Sequence, residues 1–335
     1  MRARAARAAP RGEPAIAALP VTSTRATGAP SGSVGARRWH EIDVLLNAGS
    51  GGRDEEQARQ ALVELLHARD PRANVHLVRG AELAGLARDV ASGGGLVVAA
   101  GGDGTVATVA SALLGTGSTL GVVPLGTFNY FARDLGIPSE LDAAVAVLFE
   151  GEVVPTAAGE VNGRIFLNNA SVGIYPTVLR EREKAYERLG LRSRVLAYVV
   201  TLIATLRRWR SLRLFLTIDG RQLVRRTELL FVACNRYQIE ALELKGIGCL
   251  ESGRFSIYLT PGAGRLALLK LSLKALLGGL RDAEELDVLC GREVVVHIRQ
   301  RRVPVGADGE VVVTDTPLRF RLLPDALQVV APARA

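Results

Sequence analysis

The sequence predicts an α/β domain built on a mostly parallel sheet, followed by an antiparallel sandwich or barrel. Three observations lead there. Over 40–150, short apolar runs alternate with helically spaced segments, as in βαβ units. Three of the four runs end in glycine-rich loops. After about residue 153, short alternating strands are joined by Asn-Gly and Asp-Gly turns, which close hairpins. At 335 residues and 48% apolar, the chain can bury two cores.

Residues 1–39 come first and read as a disordered tail, rich in Ala, Arg, Pro, Gly and Ser. They hold seven arginines against Glu13, so they supply +6 of the net charge of +8. The remainder is nearly balanced and lacks the aromatic interleaving that stacks bases, which argues against a nucleic-acid partner. No continuous apolar stretch precedes a cleavage site, and no run of about 18 apolar residues exists; neither a signal peptide nor a transmembrane helix is expected.

A strand is predicted at 42–46, then a loop of Asn47, Ala48, Gly49, Ser50 and Gly51. A helix follows over 54–68, with Ala58, Ala61, Leu62, Leu65 and Leu66 on one face. Next come a strand at 74–78, a helix at 82–91 and a strand at 96–100. That strand runs into Gly101, Gly102, Asp103, Gly104 and Thr105 and a helix to 114. A fourth strand, 120–123, leads to Gly126, Thr127 and Asn129.

In the second half, Asn162-Gly163 and Asp219-Gly220 are predicted hairpin turns, and further strands are placed at 228–233, 254–260, 293–299 and 311–314. The domains are drawn at 40–153 and 154–330, with 317–330 able to return to the first. Two helices interrupt the second, at about 177–210 and 265–280. The former has a basic rim around an apolar middle. Each of the two fits either a helix packed on the sheet or one that helps an apolar substrate or an anionic membrane surface approach. Cys234, Cys249 and Cys290 are too few and too scattered for a metal or disulfide framework. They are expected to be small buried residues in a reducing, cytoplasmic compartment.

In a parallel sheet, the loops leaving the carboxyl ends of the strands share one edge, so the three glycine-rich loops should converge. Glycines admit an anion close to the backbone, and a helix N-terminus offers free N–H groups. No lysine follows the central loop, unlike a Walker A loop. Asp103 beside phosphates implies a bridging metal or a catalytic acid; as an alternative, it caps the helix. Together the loops read most simply as one ATP site.

These loops, the block 124–138, the Asn168–Gly173 segment and Asp308-Gly309-Glu310 occur in the order seen in the diacylglycerol kinase catalytic family, which the chain resembles from about residue 40 onward. The glycine–aspartate loop is shared with NAD kinases and phosphofructokinases. The 124–138 block and Asp308-Gly309-Glu310 are more discriminating. The resemblance implies a three-layer α/β nucleotide-binding domain, a C-terminal antiparallel β-sandwich and a cleft between them. It also implies ATP and Mg2+ and a lipid hydroxyl as acceptor. With the reducing compartment read from the cysteines, the expected location is the cytoplasm, with peripheral contact at the inner membrane face as an extension. By position, Asn47, Ala48, Gly49, Ser50, Gly51, Gly101, Gly102, Asp103, Gly104, Thr105, Gly126, Thr127 and Asn129 would meet the nucleotide. Glu310, or Asp308, would take the hydroxyl proton, with Asp103 also catalytic. Without the resemblance, Asp308-Gly309 reads as an ordinary hairpin turn.

The chain departs from the family pattern at three places. Ala48 replaces a usual proline, Tyr130 stands where many members carry aspartate, and Leu250-Glu251-Ser252-Gly253 occupies the place of an Asp-Asp-Gly segment that helps hold a structural magnesium ion in some members. Glu251 alone offers too few oxygens for that second ion. The rival functions are a kinase of a soluble substrate such as NAD and a catalytically inactive nucleotide-binding module. The sequence leaves the oligomeric state open, a homo-oligomer included.

Overall fold

Alternating side chains of a single strand feed two separate cores. In β3 (Leu96–Gly101), Leu96, Val98 and Ala100 pack on one side and Val97 and Ala99 on the other, all buried. A strand buried on both faces reads as a continuous apolar run, and the sheet around it is the middle of three layers. The structure is a computed structural model, which describes residues 39–47, 53–189, 201, 204–205, 211–261 and 286–333. The predicted tail, the loop 48–52, the helix at 265–280 and most of 190–210 lie outside the described residues.

The parallel part is β1 (Ile42–Asn47), α1 (Arg53–Arg69), β2 (Asn74–Val78), α2 (Gly80–Ala91), β3, α3 (Asp103–Leu113) and β4 (Thr119–Pro124). Strand β1 pairs in parallel with β2 and β3, and β3 with β4. Two further helices, α4 (Tyr130–Asp134) and α5 (Leu141–Glu150), go beyond the expected elements. α5 closes the layer that holds α1: Ala144, Val145, Val147 and Leu148 are buried, and the Leu148 carbonyl accepts the Trp39 indole N–H at 2.9 Å.

The antiparallel part follows with β5 (Glu152–Val161), β6 (Arg164–Phe166), β7 (Asn169–Gly173), α6 (Ile174–Leu189), β8 (Leu212–Ile218) and β9 (Arg221–Ala233). It continues through α7 (Arg236–Ala241), α8 (Ile247–Glu251), β10 (Phe255–Pro261), β11 (Asp287–Gly291), β12 (Glu293–His297), β13 (Arg302–Ala307), β14 (Glu310–Asp315) and β15 (Leu318–Ala331). The turns at Asn162-Gly163 and Asp219-Gly220 have positive φ at both residues, as two-residue hairpins of the primed type require. Its core runs from Phe166 through Leu214, Leu216, Phe255 and Ile257 to Phe320, all fully or almost fully buried.

Strand β15 serves both parts. Residues 318–321 pair antiparallel with β12, and Gln328 and Val329 pair in parallel with β4, while β5 runs along its other edge. A register shift between Leu323 and Leu327, with Asp325 at φ 50°, bends the strand so that both pairings fit. Among the described residues, fifteen strands therefore form one continuous sheet.

One expectation is overturned. Cys249 on α8 and Cys290 on β11 form a disulfide with Cα atoms 5.3 Å apart. They are 41 residues apart in sequence and meet because β11 pairs antiparallel with β10, beneath α8. Only Cys234 is free. Among the described residues, no helix is long and apolar enough to cross a membrane.

Candidate functional site

The site is built where backbones meet. The carbonyl of Gly101 accepts the N–H of Leu125 at 3.0 Å, and a Cβ on Gly126 would stand 2.5 Å from the Gly102 Cα. A Cβ on Gly101 would fall 2.5 Å from Thr105 Oγ1, and that hydroxyl accepts a hydrogen bond from Asn47 Nδ2 at 3.0 Å. The ends of β1, β3 and β4 thus gather on one edge, each tied to the next. Of the first loop only Asn47 is described; Ala48, Gly49, Ser50 and Gly51 lie outside the described residues.

Asn129 shapes the third loop. It sits in the left-handed region (φ 50°, ψ 44°) and spends both side-chain polar atoms on Gly126, accepting from its N–H at 3.0 Å and donating to its carbonyl at 2.8 Å. Its side chain is therefore committed to the turn, whereas Thr127 is exposed. Gly102 takes the N-cap position of α3 in extended backbone, with no side-chain cap. The N–H groups of the first turn are thereby left for another acceptor.

Asp103 does not cap its own helix. Its Oδ1 accepts the N–H of Phe131 at 3.2 Å and Asn168 Nδ2 at 3.3 Å, which ties the loop to the antiparallel part. Asn168 Oδ1 in turn accepts from Asn235 Nδ2 at 2.8 Å, and Asn235 Oδ1 caps α7 through the N–H of Gln238 at 2.7 Å. Neither Asn168 nor Asn235 stands out in the sequence as a site residue. Asn168 lies inside a family motif and could have been found there; Asn235 is an isolated asparagine with no pattern around it.

The β13–β14 turn places Asp308 and Glu310 differently. Asp308, at φ 47° with Gly309 at φ 86°, is the ordinary hairpin turn and also an anchor. Its carboxylate accepts the N–H groups of Leu167, Asn168 and Asn169 at 2.6, 2.8 and 3.1 Å. Burial pushes its pKa up to about 6; the three amides pull the other way, and the Asp103 charge adds to the rise. A carboxylate so enclosed organises backbone. Glu310 is the open one, with its side chain 57% exposed. One of its oxygens pairs with Arg164, and the other lies 3.7 Å from where a Cβ of Gly104 would stand.

Beside the loops stands an aromatic ledge. Phe128, 62% exposed, stacks on Tyr130 with centroids 5.4 Å apart, and Tyr130 meets Tyr237 at 6.3 Å. Burial, then the nearby Asp103 charge, raises the Tyr130 pKa and keeps the phenol protonated. At this place the chain presents a neutral ring.

Among the described residues, no group of three or more His, Cys, Asp or Glu could hold a metal by itself. Asp103, which has one engaged oxygen, suits a magnesium ion shared with phosphates, because that ion takes one or two carboxylates plus phosphate and water oxygens.

Comparison with known proteins agrees with this arrangement. The diacylglycerol kinase catalytic domain family matches residues 41–161, and the YegS C-terminal NAD kinase beta sandwich-like domain family matches 171–331. A protein of Bacillus subtilis named diacylglycerol kinase is 31% identical over 223 residues, covering 64% of this chain and 71% of that one. An uncharacterized protein of Synechocystis sp. is 30% identical over 248 residues, 72% of this chain and 55% of its own length. A protein of Pseudomonas aeruginosa named probable lipid kinase YegS-like is 50% identical over 86 residues, 25% of this chain and 28% of that one. The chain therefore spans about half the length of the Synechocystis relative and a smaller part of the Pseudomonas one. A crystal structure of a diacylglycerol kinase from Bacillus anthracis str. Sterne, 18% identical, covers 88% of this chain and 98% of that one with a TM-score of 0.66.

Proposed function

The chain belongs to the diacylglycerol kinase catalytic family, and on that premise we propose that it transfers the γ-phosphate of ATP to a hydroxyl of a diacylglycerol-like or other long-chain lipid. The observation that carries the reading is the Glu310 carboxylate, open to solvent and turned toward Gly104 at the edge of the converging loops. The triphosphate would lie on the amides of the loop that starts α3, with the Gly102–Gly126 contact holding the floor. Asp103 would hold Mg2+ against the phosphates; when bound, the ion neutralises charge developing on the transferred group.

Glu310 takes the proton of the acceptor hydroxyl as its oxygen forms a bond to the γ-phosphorus. The bond to the β–γ bridging oxygen breaks and ADP leaves. Asp308 and Asn168 keep the two parts of the site in register: the Asp308 carboxylate holds the backbone that carries Asn168, and Asn168 holds Asp103. Peripheral contact with a membrane face fits a lipid acceptor, and the exposed Phe128 offers an apolar surface beside the loops.

The test is incubation with total lipid extract and labelled ATP, followed by mass identification of whatever gains a phosphate, with NAD in parallel. A phosphorylated lipid alcohol is expected. Label on NAD, or on nothing, would overturn the proposal.

A further inference from the structure

We infer that Arg164 is a positioning residue for phosphoryl transfer, fixing the Glu310 carboxylate toward the nucleotide loop; this deepens the kinase reading and rests on it. The two oxygens of Glu310 face in two directions. Oε2 accepts from Arg164 Nη2, and Oε1 points to the Gly104 side at 3.7 Å from a Cβ built there. The Glu310 side chain has no other hydrogen-bond partner among the described residues, so this one contact sets which way an exposed, three-torsion side chain faces.

The arginine is itself held from a rigid place. Arg164 opens β6 directly after the Asn162-Gly163 turn. Asn162 fastens that turn to the far end of the strand that Glu310 begins. Its Nδ2 donates to the carbonyl of Asp315 at 2.9 Å, and its Oδ1 accepts the N–H of Arg319 at 2.8 Å. The partners of the ion pair thus sit on two hairpins bonded to each other.

The charge has a reason to be there. None of the three glycine-rich loops contains a lysine or arginine. A base standing beside a triphosphate is repelled by it and swings away unless a cation behind it offsets the repulsion. A guanidinium does this and also fixes direction, because its planar fork matches a carboxylate; an ammonium supplies the charge alone.

The test is a double-mutant cycle in the full-length protein, with ATP binding measured separately. Arg164→Met should lower kcat by about 30- to 100-fold, the scale of a misplaced catalytic group, with the Kd for ATP changed by less than about threefold. Arg164→Lys should recover part of the loss. In a Glu310→Gln background, single-turnover rates should show no further fall on adding Arg164→Met, since the arginine acts through that carboxylate. If Arg164→Met loses its cooperative unfolding transition, Arg164→Lys is read through the same cycle. Wild-type turnover by Arg164→Met, an equal loss in the Glu310→Gln background, or a loss confined to ATP affinity would each overturn the inference. A wild-type protein that phosphorylates no lipid would overturn the kinase reading, and this inference with it.

Discussion

Gly102 and Gly126 touch backbone to backbone: a methyl group on Gly126 would stand 2.5 Å from the Gly102 Cα and 2.7 Å from Asn129 Oδ1. The nearest atom is backbone and cannot rotate aside, so the two loops would have to part. Gly126→Ala should cost about 1–3 kcal/mol of stability, as overpacking does, and weaken ATP binding more than the fold. Urea unfolding beside an ATP titration checks this; an unchanged ATP affinity would contradict it.

Removing the charge of Glu310 while keeping its shape separates chemistry from binding. Glu310→Gln should lower kcat by about 10²- to 10⁴-fold and leave the ATP Kd within about threefold. Asp103→Asn, which keeps an oxygen for Phe131 and Asn168, should leave the unfolding free energy within about 1 kcal/mol while transfer falls steeply. Steady-state rates and chemical denaturation together decide it, and normal turnover by either variant removes its assigned role.

Asp308 makes stability depend on pH. Its pKa rises from 3.8 to about 6 on folding, mainly through burial. Between those values the native state binds its proton more tightly than the unfolded chain, so stability falls as pH rises through the window. The fall amounts to about 3 kcal/mol across the interval, at about 1.4 kcal/mol for each pH unit that separates the two values. Asp308→Asn lacks this contribution. The unfolding free energy of wild type minus that of the variant should therefore decrease from pH 4 to pH 6, and an increase would show that the three amides outweigh burial.

The Cys249–Cys290 bond closes a loop of about 41 residues. Reduction, or Cys249→Ser with Cys290→Ser, should lower stability by about 2–4 kcal/mol. The loosening should centre on the small core of Ile239, Leu244 and Tyr258 around α7 and α8. Hydrogen exchange with and without reductant measures it; protection unchanged in that region would count against the bond.

Much of this was readable in advance because it follows local rules. Apolar runs and glycine loops located the parallel strands, and Asn162-Gly163 and Asp219-Gly220 turned where their positive φ demands. Strand β7 was not legible: Val172 alone favours a strand among Asn169, Ala170, Ser171 and Gly173, and the segment becomes a central strand because β9 and β13 flank it. α5 leaves little mark in the sequence because it carries no side-chain cap and is apolar on more than one side. The polar chain from Asp103 through Asn168 to Asn235 joins residues far apart in sequence. So do the disulfide and the Arg164–Glu310 pair. Periodicity carries no trace of such meetings.

Strand β15 has a temporal meaning as well as a spatial one. A ribosome delivers β4 some two hundred residues before the segment that covers its open edge, Gln328 and Val329. Until that segment emerges, the nascent glycine loops stand on a sheet with an unprotected border, exposed to a chaperone or to another growing chain. The border of the sheet that carries the loops is thereby closed about two hundred residues after the loops themselves emerge.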